Sequence, residues 1–232
     1  HAPYAVILGG VVNTIGTHSE SSVIGGGEGN IITANGDLGT IPGGYNNRAT
    51  SFAFAAGSFA LATNRGSFVW SDGSSVVTRS VADNSVTMRA GGGYRFLTGT
   101  GTNGAQLLPG ATSWSILSDR NLKKDFRPAD CQWILEKLCR VPVSQWHYTW
   151  ENESEALNLG PMAQDFKAAF YPGRDDRSIS TLEMDGVALA AIQGLNQKLE
   201  QKVTEITELK REMAELKQQL NSIRETLNGG AR

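Results

Sequence analysis

The chain has 232 residues, 40% of them hydrophobic, with 21 basic and 23 acidic side chains and a net charge of −2. No basic field points to nucleic acid as a partner, and no run of eighteen apolar residues is present to span a membrane. The length accommodates one or two domains, or one extended chain of several segments. The opening His1-Ala2-Pro3 carries no signal-peptide pattern and reads as a trimmed chain or a fragment of something longer. Composition divides the chain at Trp114: twenty-one of the 27 glycines precede it, no lysine does, and both cysteines follow it.

The first third repeats itself. Gly9-Gly10-Val11-Val12-Asn13, Gly26-Gly27-Glu28-Gly29-Asn30 and Gly43-Gly44-Tyr45-Asn46-Asn47 share a GGxxN frame at two seventeen-residue intervals. Ile7-Leu8, Ile24-Gly25 and Ile41-Pro42 precede them, and a shorter copy follows at Ala56-Gly57-Ser58-Phe59-Ala60. The pattern predicts a stacked β-solenoid. Gly supplies positive φ at the turns, and Asn tolerates the left-handed conformation there. The short apolar pairs point inward onto the pair one coil away, because a single coil cannot bury its own face.

Residues 5–72 resemble the head of trimeric autotransporter adhesins, a left-handed parallel β-roll built from short repeats of this kind. The interval here is longer than the usual one. The resemblance implies a homotrimer with one roll per chain and a role in surface display or adhesion. It leaves room for a cell-surface or host receptor bound through the head.

Residues 73–117 read as a β-rich connector. Asn84 to Ala90 alternates polar and apolar as a half-buried strand does, and Tyr94 to Thr98 is a second strand. Gly91-Gly92-Gly93 is a turn or bulge, and Gly99 to Gly110 reads as loop.

At the seam stands Trp114-Ser-Ile-Leu117-Ser118-Asp119-Arg120-Asn121-Leu122-Lys123-Lys124-Asp125-Phe126. A serine becomes a nucleophile when a base removes its proton, and a lysine amine does this when burial lowers its pKa. Five residues separate Ser118 from Lys123, which suits neither one strand face nor the helical i, i+4 rule. A turn between them or a contact across subunits is needed. By themselves the two also read as an N-cap or turn serine, with Asp119 assisting, and a solvated lysine.

The surrounding residues resemble the start of the self-cleaving intramolecular chaperone at the C-terminus of phage tailspikes and endosialidases, a family that includes the myelin regulatory factor. Further blocks match downstream: Ile134 to Leu138 as an amphipathic helix, Val141 to Tyr148 as a strand, Leu159-Gly160 through Ala163-Gln164-Asp165-Phe166, and Asp185 to Ile192 leading into a terminal helix. The resemblance covers roughly 114–200. It implies that the chain is cut before the Ser of an SDxxxK motif. Carried over, the dyad is Ser118 and Lys123 and the scissile bond is Leu117–Ser118. The resemblance implies an autocatalytic serine endopeptidase of single turnover. Asn158 stands where many members carry His, and Lys124 where many carry an acidic residue.

Cys131 and Cys139 lie eight apart in a segment read as helix, about 12 Å along its axis. A disulfide needs Cα atoms within about 7 Å, so both are expected as buried thiols. No metal, paired-carboxylate or histidine constellation is present, and no cofactor is expected.

From Ile192 the apolar positions fall 3,4,3,4: Ile192, Leu195, Leu199, then Lys202 breaking the seam, Ile206, Leu209, Met213, Leu216, Leu220, Ile223 and Leu227. With Ile192 at a, Glu205 and Glu212 at g face Lys210 and Lys217 at the following e, the pairing of parallel chains. Mixed Leu and Ile at a and d favours a trimer. The expected molecule is an elongated homotrimer: a β-roll over 1–72, the connector over 73–117, a small α/β chaperone and peptidase module over 118–191, and a parallel coiled coil over 192–232. It belongs on a cell surface or a virion tail fibre. The alternative is a structural stalk that does not cut itself.

Overall fold

A computed structural model describes residues 1–101 and 103–229, with side chains of the last helix described as far as residue 225. The chain divides into two compact units, His1–Ser118 and Asp119–Arg232.

The first unit is a β-solenoid. Short strands alternate between two parallel sheets: β1 (Val6–Ile7), β2 (Thr14–Ile15), β3 (Val23–Ile24), β4 (Ile31–Ile32), β5 (Thr40–Ile41), β6 (Gly44–Tyr45), β7 (Arg48–Ala49), β8 (Phe54–Ser58), β9 (Ala60–Ala62), β10 (Phe68–Ser71), β11 (Thr78–Arg79) and β12 (Val86–Arg89). One sheet runs β1-β3-β5-β8-β10-β12, with β6 on β8, and the other β11-β9-β7-β4-β2. Register follows the repeat: Ile7 pairs with Ile24 and Ile24 with Ile41, while Ile15 pairs with Ile32 and Ile32 with Ala49. Ile24, Ile32, Ile41, Ala49, Ala62 and Val69 are fully buried between the sheets.

Two details differ from the expectation. Only the first residue of the second and third pairs, Ile24 and Ile41, is buried, with Ile7 in register on the exposed first coil. Leu8 and Pro42 are exposed, because successive residues of a strand face opposite sides. The frame asparagines are not the left-handed residues either. That conformation falls one residue earlier, at Val12 (φ 50°), Gly29 (66°) and Asn46 (52°).

Asn13, Asn30 and Asn47 instead form an internal ladder. The Asn30 side-chain carbonyl accepts from the Asn47 N–H at 3.0 Å, as that of Asn13 does from the Asn30 N–H at 3.0 Å. Each side-chain amide donates to two main-chain carbonyls, those of Gly26 and Gly44 in the case of Asn30. Gly27 shows why the frame needs its second glycine. Its φ is +82°, and a Cβ there would lie 2.1 Å from the Gly44 carbonyl oxygen.

Parallel stacking continues through β11 and β12 to Arg89, past the sequence boundary at 72. A three-stranded antiparallel sheet follows: β13 (Tyr94–Leu97), β14 (Gly104–Leu107) and β15 (Ser115–Ile116). β14 lies inside the segment read as loop, where flanking glycines mask a four-residue strand.

The second unit begins with a 3₁₀ turn at Arg120–Leu122, then α1 (Cys131–Leu138), β16 (Val143–Trp146), β17 (Asn158–Pro161), α2 (Ala163–Phe170) and α3 (Thr181–Gly229). β16 and β17 pair antiparallel. Asp130 caps α1 by accepting from the Trp133 N–H at 3.0 Å. Cys131 is buried beside α3, its Sγ 3.4 Å from Gln193 Oε1. Cys139 is exposed, contrary to the expectation, because α1 ends at Leu138 and turns it outward. Phe166, Val187 and Ala191 are buried where α2 and α3 meet the rest of the unit. α3 runs without a break past Ile192, so the module's last helix and the heptad stretch are one element.

Candidate active site

The candidate residues flank the division between the units. β15 ends at Ile116. Leu117 and Ser118 close the first unit, both exposed. Asp119 opens the second and is the N-cap of the 3₁₀ turn. Its Oδ1 accepts from the Asn121 main-chain N–H at 2.8 Å and from Asn121 Nδ2 at 3.1 Å. The cap is therefore Asp119 and not Ser118. The Leu122 N–H donates to the Asp119 carbonyl at 3.2 Å and the Lys123 N–H to that of Arg120 at 3.1 Å. Lys123 leaves the turn in extended backbone (φ −115°, ψ 152°) and is exposed, as is Lys124. Asp125 is left-handed (φ 58°), and the Arg120 guanidinium lies 5.3 Å over the Phe126 ring. The 3₁₀ turn at Arg120–Leu122 stands between Ser118 and Lys123 in the chain.

The oligomerisation candidates lie together on one stripe of α3. Ile192, Leu195, Leu199, Ile206, Leu209, Met213, Leu216, Leu220 and Ile223 are all exposed in the single chain. The side chain of Leu227 lies outside the described residues.

Two features of the second unit were missed by the sequence reading. Lys167, buried on α2, donates from Nζ to Glu183 Oε2 at 2.5 Å, and Arg174 donates to Glu183 Oε1 at 3.1 Å. Glu183 also accepts from the Ser180 N–H while Ser180 Oγ accepts from the Glu183 N–H, a capping box that starts α3. The Lys167 hydrogen bond, and after it the Ser180 N–H, hold the Glu183 carboxyl down at about 2. The Ser180-Thr-Leu-Glu183 spacing carries a signal for the box, but nothing in the sequence marks Lys167 as its partner.

The second feature is an open groove of about 730 Å³ lined by Trp146, Tyr148, Trp150, Met162 and Met184 among others. Tyr148 and Trp150 stack at 4.4 Å, and Trp146 Nε1 is buried without a hydrogen-bond partner among the described residues. The alternation Trp146-His-Tyr148-Thr-Trp150 is its sequence signal. Among the described residues no group of His, Cys, Asp or Glu is arranged to hold a metal ion, and no helix is long and apolar enough to cross a membrane.

Residues 118–173 match the family model Peptidase_S74, described as the chaperone of endosialidase. No curated protein and no solved structure matches the chain. The resemblance read from the Ser118-Asp119 seam and the blocks downstream therefore holds over 118–173, behind a β-solenoid that fits the roll expected for the head.

Proposed function

We propose that the segment from Ser118 onward is an intramolecular chaperone that assembles three copies of a fibre or surface adhesin in parallel, then releases itself by cutting the Leu117–Ser118 bond. A chaperone role is what the matched family supports. The observation that carries the finer reading is positional. The family match begins at Ser118, the residue at which the first compact unit ends.

Two uncovered surfaces favour parallel copies. One is the apolar stripe of α3, which in a coiled coil faces the same stripe of another chain. The other is the outer face of the first solenoid sheet. Val6, Val23, Thr40, Phe54, Phe68 and Val86 follow one another there in register, apolar but for Thr40, and the rings of Phe54 and Phe68 stack at 4.8 Å. The matching column of the second sheet, Thr14, Ile31, Arg48, Leu61 and Arg79, alternates polar or charged residues with apolar ones. Strand pairing between distant residues is slow to form. Fixing the ends of three chains together lowers the entropy of starting it. Release of the chaperone leaves the assembled fibre kinetically trapped.

In the proposed reaction Ser118 Oγ attacks the carbonyl carbon of Leu117, in the same or a neighbouring chain, while the Lys123 amine takes the hydroxyl proton. The carbon–nitrogen bond breaks, an ester forms, and the proton passes to the departing α-amine. One water hydrolyses the ester, leaving a carboxylate on Leu117 and restoring the serine hydroxyl. Lys123 is exposed in the single chain, and covering a lysine disfavours its charged form, leaving more of the neutral amine that can take a proton. Assembly would supply that cover, so cutting should follow it. Intact mass of the freshly folded chain, with Ser118→Ala beside it, tests the proposal.

A further inference from the structure

We infer that Asp119 is a positioning residue for the Ser118–Lys123 pair, acting through the turn that it caps; the inference rests on the Ser–Lys reading above. Every residue from Ile116 to Asp130 is exposed, so no core dictates the shape of this segment. Short-range interactions within the segment bear on its shape instead.

Three of these are visible. Asp119 Oδ1 holds the Asn121 N–H at 2.8 Å and the Asn121 side-chain amide at 3.1 Å. The Arg120 guanidinium sits over the Phe126 ring. Asp125, at φ 58°, takes the left-handed conformation. Together they close residues 119–126 into a self-braced loop.

The brace bears on reach. Fully extended, five residues span about 17 Å, far beyond the ~3 Å over which a base takes a proton. A 3₁₀ turn rises only about 2.0 Å per residue. The turn at Arg120–Leu122 therefore removes about 4 Å of that separation before Lys123 begins. With Asp119 truncated, the Asn121 N–H returns to solvent and extended forms compete with the turn. The Asp119 contribution is that of a hydrogen-bond acceptor in an Asx turn. An uncharged side chain with the same carbonyl oxygen should replace it.

The experiment follows the first-order appearance of the two fragments after refolding of the full chain, across pH, for the wild type and for Asp119→Ala, Asp119→Asn, Phe126→Ala and Ser118→Ala. Loss of one N-cap should slow cutting by roughly five- to tenfold in Asp119→Ala. Asp119→Asn should stay within about twofold of the wild type, and the midpoint of the pH–rate profile should not move in either variant. Phe126→Ala should slow cutting by less than Asp119→Ala. Wild-type rates in Asp119→Ala, with cutting still dependent on Ser118, would overturn the brace and leave the Ser–Lys reading intact. An Asp119→Asn variant as slow as Asp119→Ala, or one with a displaced pH midpoint, would overturn it too, by making the charge and not the cap the source of the effect. Fragments from Ser118→Ala, or none from the wild type, would overturn the Ser–Lys reading and the brace with it.

Discussion

The main-chain N–H of Asn47 donates to the side-chain carbonyl of Asn30 at 3.0 Å, seventeen residues and one coil away. Asn30 repeats the same relationship with Asn13, and Asn47 Oδ1 passes it on to the Ala60 N–H at 2.9 Å. The repeat thus carries a polar spine beside its two apolar columns. The spine satisfies main-chain groups at the turns that strand pairing leaves over.

Asn30→Ala should therefore destabilise the solenoid more than its size implies. It strips the side-chain partner from the Asn47 N–H and from the Gly26 carbonyl, while the Gly44 carbonyl keeps the Glu28 N–H. Each buried group left unsatisfied costs about 1–3 kcal/mol. A loss of at least about 2 kcal/mol is expected for Asn30→Ala. Asn13→Ala, on the less buried first coil, should lose about 1 kcal/mol or less. Denaturant unfolding followed by the β-sheet circular dichroism signal measures both. Equal, small losses would show that the ladder contributes little.

Two glycines of α3 should respond to alanine with opposite sign. At Gly186 a Cβ would meet nothing within 4 Å, whereas at Gly194 it would lie 2.2 Å from the Cys131 carbonyl oxygen, at the start of α1. Gly-to-Ala in a helix gains about 1 kcal/mol by propensity. Forcing a packed backbone apart costs typically about 1–3 kcal/mol. Gly186→Ala should raise the melting temperature of the second unit and Gly194→Ala should lower it. A rise in both would mean that α1 is not seated on α3 as closely as the contact indicates.

Acid should weaken the second unit through Glu183. Its folded-state pKa is lowered to about 2 from 4.5, by the hydrogen bond from Lys167 first and the Ser180 N–H next. The stabilisation is fully present above about pH 4.5 and is lost as pH falls through about 2. Melting temperatures of the wild type should drop across that window more steeply than those of Glu183→Gln, which lacks the titrating group. Parallel curves would remove Glu183 from the account.

Much of this organisation is legible in the residues. The GGxxN interval yields coil length and register directly, since Ile7, Ile24 and Ile41 stack as the spacing requires. The spacing and the Ser118-Asp119 block together place the seam. Other features depend on three-dimensional neighbours that no local pattern encodes. The frame asparagines look like turn residues until the coils stack and their side chains find the next chain segment. Lys167 reads as a surface charge until α2 lies against the start of α3. β14 is hidden because its four residues follow glycines and gain order only from β13 and β15.

The heptad stripe makes a prediction about assembly. Leu209 and Leu216 are exposed in one chain and face other copies in the proposed coiled coil. Leu209→Lys or Leu216→Lys would bury an unpaired charge in every copy, at a cost of several kcal/mol per chain (about 3–5). Sedimentation should show a trimer for the wild type at micromolar concentration and dissociated chains for either variant. A wild type that sediments as a monomer would contradict the assembly.

The most direct measurement is the mass of the freshly folded chain. The account predicts two fragments, residues 1–117 with a free carboxylate on Leu117 and residues 118–232 with a free amine on Ser118. Ser118→Ala and Lys123→Ala should each leave one full-length chain that still assembles, while Lys124→Ala should still cut. A wild type that stays whole under every folding condition would reduce the module to a chaperone alone, and cutting that needs Lys124 but not Lys123 would contradict the assignment of the base.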